Sequence, residues 1–277
     1  DELLIETDEI VAFSGNTGSS NSAHLHFEIR DKSERPINPM LFGIEIKDTR
    51  KPTILSVYAY PINENSQVNK TNEKTKLRLI PLPDGNYTVE GIKAFGKIGF
   101  GINTYDRQDN APNKNGVSNI QTFFNGNKNF EIDFKRFSFT ETKHLNRLID
   151  YAHFKDHKSR IQKLFVQTNN PLSLYKNLNE NGYINIADST ASIYKVSVKD
   201  YKGNETWLTI SIIGEQNDSI TPRNIEVTDY FIYADQATNL EDENVSVYFP
   251  SNTFYDDFYI NFNVNCDTLT LHKPSVS

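Results

Sequence analysis

Apolar and polar residues alternate along most of the chain in short runs broken by turn residues, the pattern of strands that turn one face to a core and the other to water. Ile54-Leu55-Ser56-Val57-Tyr58, Thr75 to Ile80, Tyr87-Thr88-Val89 after the turn at Asp84-Gly85-Asn86, and Gly99 to Tyr105 follow one another in this way. Strands resume at Ile161 to Gln167 and Ala191 to Lys199, and the turn Asp200 to Glu205 leads into Thr206 to Ile212, which predicts a closing hairpin. Regular short strands with turn signals between them predict a β-sandwich. The pattern breaks between 137 and 165, where Leu145, Leu148 and Ile149 fall at helical spacing and predict a short helix within an insertion.

Two boundaries stand out. Asp48-Thr49-Arg50-Lys51-Pro52-Thr53 joins charges to a proline that a central strand does not tolerate, and Gly214 to Arg223 is polar with a second proline. The expected organisation is therefore residues 1–47, a β-sandwich over 48–215 with its insertion near 137–165, and a second module over 216–277 that alternates again but is short for an independent sandwich. Composition agrees with a mainly β chain: 277 residues carry 14 Tyr and 18 Phe but one Met. A net charge of −7 without a dense Lys/Arg cluster argues against nucleic acid as a partner. No apolar run approaches the ~20 residues of a membrane-spanning helix. The single cysteine, Cys266, forbids an intrachain disulfide and is expected on a strand.

Candidate chemistry gathers in one segment. The small-residue loop Ser14 to Ser22 precedes Ala23-His24-Leu25-His26-Phe27-Glu28-Ile29-Arg30. On a strand, His24, His26 and Glu28 share one face and Leu25, Phe27 and Ile29 the other, so the apolar face is expected to anchor and the polar face to be presented. Two imidazoles on one face can hold a metal together, or one can ligate while the other works beside a metal-bound water; on a solvated sheet the same pair is two surface histidines.

Thr17-Gly18, the small-residue loop and the unbroken His24 to Arg30 run closely resemble the motif of LytM/lysostaphin-like zinc metallopeptidases, which cut the peptide cross-links of bacterial peptidoglycan. The resemblance runs from about Val11 through Asn38-Pro39. It implies that residues 1–47 are the C-terminal part of a LytM-type β domain followed by immunoglobulin-like β-sandwich modules, that His26 ligates zinc, and that His24 is the catalytic histidine. It also implies an envelope address (periplasm, outer membrane or outside the cell) and peptidoglycan peptide or an envelope protein as partner. The family's other zinc ligands, in a His-x-x-x-Asp arrangement, and a further catalytic His lie upstream of this strand, and no His here is followed by Asp at the fourth position. The single zinc site is thus incomplete in this chain, which is expected to be inactive alone: a fragment of a larger peptidase, a degenerate homologue, or half of a split site. The alternative function is a non-catalytic envelope scaffold or binding protein.

Three weaker candidates read as structural. His153 and His157 share a helix face but lack the glutamate and third ligand of a helical zinc motif. The loop Asp106 to Gly116 offers oxygen ligands but not the regular spacing of a calcium loop, and Arg107 and Lys114 oppose a cation there. Asp256 and Asp257 are expected to be solvated.

Overall fold

Three antiparallel strand pairs frame the molecule in the computed structural model, which describes residues 4–16, 22–242 and 245–264. Cys266, Thr17 and Gly18 lie outside the described residues. Strands β1 (Thr53–Pro61) and β2 (Ile92–Tyr105) run antiparallel, with Val57 opposite Ile102 and Ala59 opposite Phe100. Strands β3 (Asn119–Phe124) and β4 (Asn127–Asp133) are joined by Asn125-Gly126, both at positive φ, the two-residue turn whose twist suits a hairpin. Strands β5 (Ala191–Lys199) and β6 (Glu205–Gly214) form the predicted closing hairpin, Tyr194 facing Ile210 and Val196 facing Leu208.

The protein is mainly β. Its large curled sheet runs β4-β3-β5-β6-β2-β1, edged by Tyr175–Lys176 beyond β4 and Thr75–Leu77 beyond β1. β2 makes the sheet fold over on itself. Its first residues lie parallel to the end of β6, Ile92 beside Ile212. At Gly96 the backbone takes φ +80°, and from there β2 pairs with β1 on one side and with Ile184–Ile186 and Gln162–Lys163 on the other. A Cβ at Gly96 would stand 2.7 Å from Ser66 Oγ, which accepts a hydrogen bond from the Lys97 amide, so the bend requires glycine both conformationally and sterically.

Burial follows the alternation. Thr206, Leu208, Ile210 and Ile212 of β6 and Tyr194, Val196 and Val198 of β5 face inward, against Val57, Ala59, Ile98, Phe100 and Ile102 of β1 and β2. The rings of Phe100 and Tyr194 meet at 4.5 Å between centroids, where the two halves of the sheet face each other.

The insertion differs in detail from its expectation. Helices α1 (Leu145–Leu148) and α2 (Tyr151–His157) are separated by an extended Ile149, and the Asp150 side chain caps α2 by accepting from the His153 amide at 3.0 Å. Of the strand expected over Ile161 to Gln167 only Gln162–Lys163 is laddered. Leu164 and Phe165 are buried, but Val166 donates to Asn181 instead of continuing along β2.

Ahead of the sandwich, Ile29–Arg30 pairs with Pro36–Ile37, and a 3-10 turn at Pro39–Phe42 is capped by the Asn38 side chain. This segment is tied to the end of β4: Arg136 donates to Asp31 at 2.9 Å and the Asn38 amide to the Lys135 carbonyl at 2.8 Å. After β6, Tyr230–Ile232 pairs with Phe258–Ile260, and Thr238–Asp242 with Val245–Phe249.

Candidate functional site

The histidine segment lies on the surface. A strand needs a ladder partner, and only Ile29–Arg30 finds one; His24 makes a single bridge to Gly15. The strand expected over His24 to Arg30 is therefore short. Its intended anchor is uncovered as well, with Leu25 89% and Phe27 59% exposed.

His26 Nε2 is 2.6 Å from Glu28 Oε1, and Arg30 Nε donates to the other oxygen of Glu28 at 2.6 Å. The hydrogen bond from His26, followed by that from Arg30, lowers the Glu28 pKa, so the carboxylate is ionised and fixes the imidazole by one of its nitrogens. His24 directs Nδ1 to the Ser22 carbonyl at 3.2 Å. Among the described residues, Glu28 reaches His26, but no group of three His, Cys, Asp or Glu side chains converges around His24 and His26. A zinc site takes three or four protein ligands, so the residues present do not by themselves fit the metal.

His153 and His157 of α2 stack at 4.3 Å between centroids and, among the described residues, also lack a third ligand. Asp256 and Asp257 are not simply solvated. Asp256 receives both terminal nitrogens of the buried Arg147, and Asp257 accepts from the Ala234 amide at 2.8 Å.

A second constellation lies at one end of the sandwich, where three loops meet. Asp48 enters β1, Asp106 leaves β2 and Asp200 opens the turn between β5 and β6; each is buried, and each offers a carboxylate oxygen within 4.8 Å of the others. In the sequence Asp106 stands out only within its own loop. The positions that complete the group are remote in the chain and come together through the pairing of β1 with β2 and of β5 with β6.

The rest of the Asp106 loop is engaged elsewhere. Asp109 accepts from the Thr49 amide and hydroxyl, while Arg107 and Lys114 stand over the Tyr105 ring at 5.4 and 4.5 Å. Burial pushes Asp106 up to about 6, its like-charged neighbours Asp48 and Asp200 adding to the effect, and burial raises Asp48 too.

The outer face of the sheet carries an open trough of about 700 Å³ lined by Trp207, Phe123, Tyr87, Asn86 and Lys195. The rings of Phe123 and Trp207 are 5.7 Å apart.

No family model, curated protein or solved structure matches the chain.

Proposed function

We propose that this chain contributes one strand of the active site of a zinc endopeptidase acting on the peptide cross-links of bacterial cell wall. His26 is the metal ligand and His24 the catalytic histidine, with the remaining ligands supplied from outside this sequence. The observation that carries the reading is the unbroken His24-Leu25-His26-Phe27-Glu28-Ile29-Arg30 run behind its small-residue loop. Two features support it. Glu28 braces His26, as carboxylates brace metal-ligating imidazoles, and the exposed Leu25 and Phe27 form an apolar face suited to a covering layer. Zinc would polarise the scissile carbonyl and activate water. The envelope of a bacterium is the address this substrate requires.

The test uses the complete protein from its native source: zinc per chain, and release of soluble peptide fragments from purified sacculi. About one zinc is expected. His26→Ala should remove the metal and reduce release more than ~100-fold, beyond the range that residues behind the ligands reach. His24→Ala should keep the metal and lose ~10²–10⁴-fold in rate. Undiminished release by His26→Ala would refute the assignment.

A second reading, a binding or scaffold protein of the envelope, is favoured by the aromatic trough at Trp207 and Phe123. Substituted zinc ligands in the complete protein would support it.

A further inference from the structure

We infer that Asp48, Asp106 and Asp200 form a calcium site that clamps three loops at one end of the sandwich, a site separate from the histidine segment and independent of the endopeptidase reading. The three carboxylates are 8%, 3% and 4% exposed. Each offers an oxygen within 4.8 Å of the others, a spacing that one ion with metal–oxygen distances of about 2.4 Å bridges.

Close packing of acids alone decides nothing, because carboxylates often satisfy one another through shared donors. Here the donors run out. Asp200 is served by the Asn204 amide at 2.9 Å and its side-chain nitrogen at 2.7 Å, and Asp48 Oδ1 by the Arg50 amide at 3.2 Å. The Arg107 amide serves Asp106, yet among the described residues Asp48 Oδ2 and Asp106 Oδ1 are buried with no hydrogen-bond partner. Arg50 acts on Asp48 and Asp106 through its charge, but among the described residues no Lys or Arg forms an ion pair with any of the three, and the two cations of the Asp106 loop lie over Tyr105 instead.

Buried anionic oxygens left without donors are held by a metal or neutralised by protons. The donor set selects the ion. Three carboxylates with neither imidazole nor thiolate suit a hard cation rather than zinc. Ligands drawn from three separate loops suit the adaptable coordination of calcium better than the strict octahedron of magnesium. An adjoining cavity of about 310 Å³, lined by Asp106, Gln108, Asn115 and Tyr201 among others, leaves room for water to complete the shell.

The ion would also stiffen the approach to the histidine segment. Asn204 holds the Asp48 carbonyl at 3.1 Å and Tyr201 the Ile46 carbonyl at 2.9 Å, so the clamped turn grips the chain leading into β1.

The experiment is calorimetric titration of the chelator-treated chain with CaCl₂ and, separately, MgCl₂ at neutral pH, with thermal melts in parallel. One calcium per chain is expected, with Kd on the order of 10⁻⁴ M, as in extracellular calcium modules, and a melting midpoint about 5 °C higher at calcium 100-fold above Kd. Asp106→Asn should abolish the response, and its metal-free form should melt no lower than metal-free wild type because a buried negative charge has gone; Asp48→Asn should behave likewise. Wild type that takes up no calcium at roughly 10 mM, or that responds equally to magnesium, overturns the assignment. So does Asp106→Asn titrating like wild type.

Discussion

Glu131 on β4 collects four donors: Asn119 and Gln121 on one oxygen at 3.0 Å each, Lys128 and Asn177 on the other at 2.9 and 2.5 Å. Burial alone would raise its pKa, but the hydrogen bonds from Lys128, Asn119 and Asn177 outweigh that and hold it at about 2. The folded value is below the unfolded one, so this stabilisation is complete above about pH 4.5 and is lost as pH falls toward 2. Glu131→Gln should cost about 1–2 kcal/mol at pH 7 by urea unfolding, and the gap to wild type should shrink by more than half at pH 3; a gap that ignores pH refutes the role of the charge. At this scale a sequence draws the eye to unusual residue types, as at His24 and His26. It is opaque at Asp48, Asp106 and Asp200, because aspartate at a strand end is an ordinary turn residue and only tertiary structure shows that three turns share one point.

Among the elements, β5 and β6 were readable because one face of each is buried and the other wet, which prints a period of two on the sequence. The first half of β2 was not, because Gly96 reads as a terminator although it bends the strand without ending it. The β3–β4 hairpin carried a local signal, Asn125-Gly126, that the alternation pattern alone does not pick out. Glycines later in β2 serve close approach. A Cβ at Gly99 would fall 2.4 Å from the Phe165 ring, and one at Gly101 would fall 2.8 Å from Ile161 Cγ2. Gly99→Ala should therefore destabilise by about 1–3 kcal/mol, while Gly91→Ala, with open space around it, should change little. Equal melting midpoints for the two variants would show that the insertion is not packed on β2 as described.

For the molecule as a whole, the C-terminal strands meet the insertion through aromatic residues and a few polar groups. Arg147 is buried on α1, its side chain 9% exposed, and places its guanidinium over the Tyr255 ring at 4.7 Å while bonding Asp256. Tyr255 also meets His144 Nδ1 through its hydroxyl at 3.0 Å. Asp256→Ala leaves that guanidinium with the Thr168 carbonyl and the Tyr255 ring. Because Asp256 is half-exposed the loss is modest, about 1–2 kcal/mol, and should appear as roughly 5- to 30-fold faster proteolysis within 225–229, beyond the hydrogen bonds that tie Asn217, Thr221, Arg223 and Asn224 to the sandwich, while the sandwich stays protected. Unchanged cleavage would mean that the ion pair does not hold the tail. Such long-range docking leaves no periodic trace in a sequence. The double membership of β2 has its own effect on how the chain comes into being. When β2 leaves the ribosome only β1 and the short strands just before it have been made; its remaining ladder neighbours come at residues 162–163, 184–186 and 205–214. Neither layer closes before the last of these is synthesised, and loop closure over such spans is slow. During that interval Ile98, Phe100 and Ile102 face water on a half-paired strand, an exposure that a sandwich built of consecutive hairpins would shorten.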